Sequence, residues 1–242
     1  FNSTETIFNS PGANLDFRVE SDTNTHALFV QGSDGNVGIG TDSPSALLHL
    51  ESDGPSIKLV DNNNNPDYEI KNGNGSFRII DTTAATDRLN IDSTGAVTMP
   101  AQPAFLAVSA SSQTNIAVGG SAATVVFGTE VFDQNADFAS NTFTAPVTGR
   151  YQLSFNIRMN DVDHEASYID IRLSTSNRSY QWVFANDDDL ESDASFVQAN
   201  MSILADMDAS DTASVTIFQS GGTAQMDLDT SAACCFSGYL AC

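Results

Sequence analysis

Over the first hundred residues, apolar side chains come in short alternations separated by Asn, Asp, Gly and Ser. Examples are Leu15-Asp16-Phe17-Arg18-Val19, Leu28-Phe29-Val30, Leu47 to Leu50, Ile57-Lys58-Leu59-Val60, Phe77-Arg78-Ile79-Ile80 and Leu89-Asn90-Ile91. Period two between turn residues predicts strands of about four to six residues. Asn62 to Asn65 before Pro66, and Asn72-Gly73-Asn74-Gly75, supply residues that accept positive φ cheaply, which suits hairpins. No stretch keeps a helical period. After Pro100 and Pro103 the alternations lengthen and become more aromatic. Tyr151, Leu153, Phe155, Ile157 and Met159 share one face of a single strand. Tyr168 to Leu173, Ser179 to Ala185, Ser195 to Leu204, Ser214 to Gln219 and Ala232 to Leu240 continue at intervals typical of a sandwich. The prediction is an all-β chain with a stem of short repeats over 1–100 and a sandwich domain over 101–242.

The stem contains a weak internal repeat. Leu28-Phe29-Val30 leads through Asp34-Gly35 to Val37-Gly38-Ile39, and Leu89-Asn90-Ile91 leads through Thr94-Gly95 to Val97-Thr98-Met99. Each copy reads strand, glycine turn, strand. One chain of such pieces has too little apolar surface for its own core, so the strands require neighbours. The second half differs, because its aromatic residues from Phe105 to Phe236 suffice for a core without metals or disulfides.

Charge removes several function classes. With 9 Lys+Arg against 31 Asp+Glu the chain carries −22, which repels a polyanion and excludes nucleic-acid binding. The excess belongs to both halves, since the stem has 5 basic and 14 acidic residues and the remainder 4 and 17. Such acidity with few lysines fits a saline medium, where screening is short. No apolar run approaches the roughly 18 residues of a membrane helix, so membrane insertion is not expected. Phe1 to Glu5 carry no signal features, and the numbering is read as starting inside a longer chain. Cys234, Cys235 and Cys242 are too few and too close for a disulfide framework and are read as reduced thiols or small buried side chains.

Residues 34 to 50, Asp-Gly-Asn-Val-Gly-Ile-Gly-Thr-Asp-Ser-Pro-Ser-Ala-Leu-Leu-His-Leu, resemble the shaft repeats of bacteriophage tail fibres and related virion fibres. The likeness runs from about Thr6 to Met99 and includes Ile7-Phe8-Asn9, Asp16 to Glu20 and Thr86 to Asp92. It implies three chains wound around one axis, which would supply the missing neighbours. Farther on, Thr142-Phe143-Thr144-Ala145-Pro146-Val147-Thr148-Gly149-Arg150-Tyr151 and Phe236-Ser237-Gly238-Tyr239-Leu240 resemble the globular head of the complement q-subcomponent family. Val126-Phe127, Val131-Phe132-Asp133 and Phe138 fit the same pattern, over roughly 104–241. This resemblance implies a jelly roll related to tumour necrosis factor and a homotrimer. It places the strand from Tyr151 and the last strand at or near the threefold axis, which makes Tyr151, Phe155, Phe236 and Tyr239 interface candidates. The collagen stalk found in many animal members is absent from the sequence.

Candidate chemistry is sparse. His26, His49 and His164 are the only histidines, Asp163-His164-Glu165 reads as a solvated turn, and no Gly-x-Ser-x-Gly elbow exists. An enzyme is therefore not expected. Tyr180, Trp182 and Phe184 alternate along a strand that runs into Asn186-Asp187-Asp188-Asp189-Leu190-Glu191-Ser192-Asp193. The aromatic stripe is either core or a ligand face. As a face, Tyr180 and Trp182 would stack a sugar while Asp187, Asp188, Asp189 and Glu191 accept its hydroxyls. The acidic loop is either solvated or a calcium site, with Asp187, Asp189 and Asp193 as ligands. Asp161/Asp163, Asp206/Asp208 and Asp227/Asp229 repeat Asp-x-Asp, but none completes an EF-hand.

The sequence thus points to a trimeric bacteriophage fibre located on the virion. Its head would attach non-covalently to a host surface glycan or protein, and other virion proteins would hold a preceding N-terminal part. Ca2+ is the only cofactor considered. The alternatives are a structural head, neck or decoration fibre and a secreted bacterial adhesin.

Overall fold

The computed structural model describes residues 12–185 and 190–242. It divides into two compact units, Phe1–Pro100 and Ala101–Cys242. Every regular element among the described residues is a strand.

In the first unit, β1 (Phe17–Val19), β2 (Leu28–Val30), β3 (Val37–Ile39) and β4 (Leu48–Leu50) form one sheet in that order, with β3 and β4 parallel. A second sheet runs β5 (Ser56–Leu59), β6 (Tyr68–Gly73), β7 (Ser76–Asp81), β8 (Thr86–Ile91) and β9 (Val97–Thr98). The two repeat copies form equivalent antiparallel hairpins, β2–β3 with Val30 opposite Val37 and β8–β9 with Ile91 opposite Val97. Between β6 and β7 the two central turn residues, Asn74 and Gly75, have φ of 55° and 75°. That pair of positive angles is the type I′ signature, and it matches the right-handed twist of the flanking strands.

This unit has almost no core. Phe29 is the only large apolar side chain buried among its described residues, and it packs edge-on against His26. Leu15, Leu47, Leu59 and Val97 are each 57% exposed or more.

The second unit is a sandwich built from β10 (Ala104–Ser109), β11 (Gln113–Ile116), β12 (Ala123–Thr124), β13 (Thr129–Asp133), β14 (Phe138–Ala139), β15 (Thr142–Thr144), β16 (Gly149–Val162), β17 (Ala166–Thr175), β18 (Ser179–Ala185), β19 (Ala194–Met207), β20 (Thr212–Gly221), β21 (Met226–Leu228) and β22 (Ser231–Leu240). One sheet has the order β11-β21-β16-β22-β10-β13, with β19 also paired to β16, and the other runs β14-β15-β20-β17-β18, with β12 paired to β20.

Alternation sets the core. Tyr151, Leu153, Phe155, Ile157 and Met159 of β16 are at most 2% exposed and face Ile169, Ile171 and Leu173 of β17 and Val215 and Ile217 of β20. Phe105 stacks on Phe138 and Phe143 at 5.0 and 4.8 Å and meets Phe236 edge-on at 5.0 Å. Offset and edge-to-face rings gain beyond their buried area. The Tyr151 hydroxyl, inside the core, donates to the Val147 carbonyl at 2.7 Å, so its polar end is satisfied. Gly238 completes this packing, because a Cβ there would lie 2.6 Å from Leu153 Cδ2 and 2.9 Å from Phe105 Cε1. The three cysteines are free thiols, and Cys234 is buried.

Burial corrects the assignment of three interface candidates. Tyr151, Phe155 and Phe236 lie on the inward positions of β16 and β22, and their surface is consumed by the chain's own second sheet. Tyr239, on the outward phase of β22, is 53% exposed.

Candidate functional site

The outward face of the β10/β22/β16/β19 sheet follows from the same alternation. Gln152, Ser154 and Asn156 of β16 stand opposite Leu204, Ser202 and Asn200 of β19. Gln152 Nε2 donates to Ser202 Oγ at 2.8 Å, Ser154 and Ser202 share a hydroxyl contact at 2.8 Å, and Gln198 donates to Asn156 Oδ1 at 2.8 Å. Beside this ladder, Leu106, Phe132, Gln152, Ser154 and Tyr239 line a groove of about 470 Å³. From Gln152 to Asn156, from Gln198 to Leu204 and from Ser237 to Tyr239 there is no carboxylate, although the unit holds 17 acids. Between Arg150, opposite Asp206, and Arg158, paired with Asp229, this stretch of the face is neutral and partly apolar on a strongly anionic domain.

A second constellation lies at the turn between β16 and β17. Asp163, expected in a solvated turn, is 2% exposed. Its Oδ2 accepts the backbone N–H of Thr223 and Ala224 at 2.5 and 2.7 Å, and its Oδ1 accepts that of Glu165 at 2.8 Å. Gly222, at φ +88°, makes the approach possible, since a Cβ there would collide with the Asp163 carboxylate. Burial pushes this carboxyl up, and the backbone donors outweigh burial and hold it below the usual carboxylate range. Next to it, Asp193 Oδ1 accepts the His164 backbone N–H at 3.0 Å and contacts His164 Nδ1 at 2.7 Å. Hydrogen bonding to Asp193 holds His164 above the ordinary imidazole range, with Glu165 and Asp163 adding to the effect.

A raised imidazole contributes stability in full below its ordinary range and loses it as pH rises through the elevated value. Proton NMR of His164 is expected to show a midpoint above the ordinary imidazole range, and Asp193→Ala is expected to bring that midpoint down. An unchanged midpoint in the variant would remove the pair from this account.

The C1q domain family matches residues 104–241. This chain belongs to it. Similar solved structures include the globular domain of zebrafish complement 1qA, at 18% identity and a TM-score of 0.42, covering 58% of this chain and 98% of that one. Murine APRIL is similar at 14% identity and a TM-score of 0.42, covering 57% and 98%. No curated protein matches the chain.

Within the C1q domain, the sequence-predicted ligand residues separate. Tyr180, Trp182 and Phe184 take the inward phase of β18 and pack half-buried against the core, with the Trp182 and Phe184 rings nearly parallel at 6.4 Å. They pack against the core at the edge strand β18. Asp187, Asp188 and Asp189 lie outside the described residues, while Glu191 is exposed.

Of the calcium candidates, Asp187 and Asp189 lie outside the described residues and Asp193 is exposed. Among the described residues, Asp163, His164 and Asp193 form a group of three whose ligand atoms lie within 4.8 Å of one another. Both Asp163 oxygens already accept backbone N–H groups and Asp193 is engaged by His164. Calcium prefers six to eight oxygens, and a shell here would displace those bonds. The other Asp-x-Asp pairs are likewise structural. Asp206 grips the Arg178 guanidinium at 2.7 and 3.1 Å, Asp227 accepts the Asn115 N–H at 2.7 Å, and Asp229 pairs with Arg158.

Sequence reasoning missed the anchoring role of Asp163, whose partners at Thr223 and Ala224 lie sixty residues away. It also missed Asp170, 2% exposed and paired with Arg172, for which alternation gives the opposite expectation of an exposed carboxylate.

Proposed function

We propose that the chain is a homotrimeric fibre protein of a tailed bacteriophage, carried on the virion, whose C1q head attaches the particle non-covalently to its host. The observation that carries this reading is the stem. Between residues 12 and 100 only Phe29 is buried among the large apolar side chains, while Leu15, Leu47, Leu48, Leu59 and Val97 stand more than half exposed. A monomeric stem would leave these faces wet and its sheet edges open. Two further copies around one axis cover them, as the likeness to fibre shaft repeats implies.

The head supports the same assembly. Three anionic domains associate most readily through a surface without carboxylates, and the Gln152/Ser202/Tyr239 face is such a surface. The partner on the cell is a host glycan or protein, with no chemical step and no cofactor required. Three weak sites on one rigid tip gain by effective concentration, so modest single-site affinity suffices. Other virion proteins would be the further partners. Nucleic acid is not a partner, in keeping with the charge of −22.

Sedimentation equilibrium on the purified chain is expected to return three times the 25.7 kDa chain mass, and the soluble trimer is expected to block adsorption of the particle in a dose-dependent manner. A stable monomer at micromolar concentration would overturn the assembly. Unimpaired adsorption at saturating trimer would overturn the attachment role and favour a structural fibre.

A further inference from the structure

The β5–β9 sheet of the stem has two unlike faces, and register separates them. Directly paired residues share a side. Leu59 therefore lies with Tyr68, Ile70 with Ile57 and Ile79, Ile79 with Leu89, and Ile91 with Phe77 and Val97. This phase is apolar across all five strands. Its carboxylate, Asp81, sits beside Tyr68, is 2% exposed and is held by Arg88 at 2.6 Å. The opposite phase holds Lys58, Glu69, Lys71, Arg78 and Asp87. There Lys71 stands 4.0 Å from Glu69 and Arg78 3.8 Å from Asp87, so this side carries its own ion pairs and suits water. Such a partition marks an antiparallel sheet with one face solvated and the other packed on a core.

The chain itself does not supply that core. Leu59 and Val97 are 57% and 60% exposed, and Ile57 and Phe77 are 44% and 42% exposed. Leu48 and Leu50 of β4 border the apolar phase but leave an open groove of about 380 Å³ against Ile57, Ile70 and Phe77. Area indicates how many copies close it. Strands about 4.8 Å apart and about five residues long, at about 3.3 Å per residue, give this five-stranded face roughly 400 Å². Two such faces pressed together bury roughly 800 Å², short of the about 1,000 Å² that a specific interface clears, whereas three turned toward one axis bury roughly 1,200 Å². Charge indicates what the face meets. With Asp81 neutralised, identical copies approach without repulsion, whereas a charged partner would lose its hydration against a face that offers no counter-charge.

We infer that the apolar phase of the β5–β9 sheet is a self-association surface for two further copies of this chain, and that the sheet folds only when they are present. A single layer with a wet apolar side has nothing to offset the ordering entropy of its strands. The head differs, since its buried aromatic cluster is its own and keeps it folded when copies separate. The inference rests on the reading of the chain as a trimeric fibre. It adds which surface assembles, and that the stem, unlike the head, depends on assembly for its fold.

The test is amide hydrogen exchange read by mass spectrometry on the full chain at micromolar concentration, with sedimentation in parallel. In the wild type, β6, β7 and β8 are expected to be protected. The double variant Leu59→Asp/Val97→Asp changes positions that the chain's own packing leaves exposed and puts two carboxylates per copy into the shared core. It is expected to lower protection of those strands a hundredfold or more while β16 and β17 stay at the wild-type level. Lys58→Asp, on the opposite phase beside Leu59, is expected to leave all five strands within threefold. Wild-type protection of β6 to β8 in the double variant overturns the surface, as does an unprotected stem in a wild-type trimer. Equal loss in β16 and β17, or in Lys58→Asp, also overturns it, because the effect would not belong to this face. If the protein is a trimer in those cases, the fibre reading stands and only the surface is rejected. A wild-type monomer with a protected stem rejects both.

Discussion

Phe236→Ala is expected to destabilise the head by about 3–5 kcal/mol, the usual cost of emptying a buried phenylalanine site. Phe236 has no exposure, and its ring meets those of Phe105, Phe127 and Phe138 at centroid distances of 5.0, 5.8 and 6.1 Å. Truncation removes one side of all three contacts in a cavity walled by rigid strands, which cannot collapse to refill it. Chemical denaturation of the head followed by circular dichroism measures the loss. The contrasting variant is Tyr239→Asp, three residues along the same strand but on the outward phase. It is expected to leave the sandwich folded while placing a carboxylate on each copy of a neutral face, so association in sedimentation weakens. Equal effects from the two substitutions, either both on folding or both on association, would contradict the assignment of the faces.

The pair also marks how far the sequence could be read. Alternation from Tyr151 to Met159 was sufficient to put five side chains on one face. It could not say which face meets the chain's own second sheet and which meets a neighbour, because a period of two treats both alike. Similarity to a trimeric family implies a strand near the axis and points to its aromatic residues as the interface. The second sheet claims them first, and the polar phase, Gln152, Ser154 and Asn156, is left outward. In the stem the turn chemistry was legible, since Asn74 and Gly75 could take positive φ cheaply and do. The change of texture at Pro100 coincides with the division between the two units. Burial of polar groups was not legible. Asp170 alternates like a surface residue and is buried by a salt bridge to Arg172 and a cover of neighbouring side chains, none of which a local pattern encodes.

Asp163 is the other case of that kind, and its removal should be nearly as damaging. Asp163→Ala leaves the N–H groups of Glu165, Thr223 and Ala224 without their acceptor. An unsatisfied buried donor costs about 1–3 kcal/mol, and water entering the turn recovers part of it. A net loss of about 3 kcal/mol is therefore expected, read by thermal or chemical unfolding. Asp163→Asn should fall between, because its amide keeps one acceptor oxygen and turns a second donor toward backbone N–H groups. Acid supplies the same perturbation without mutation. Because the folded carboxyl sits below its ordinary range, its contribution is complete above that range and disappears as pH falls through the folded value. Wild-type stability should drop steeply on the acid side of the ordinary carboxylate range, and Asp163→Ala should show a shallower drop from a lower starting point. Parallel curves for the two proteins would mean that other carboxylates, such as Asp206 on Arg178, dominate the acid response. The loop from Gly221 to Ala224 would then be held by its backbone alone.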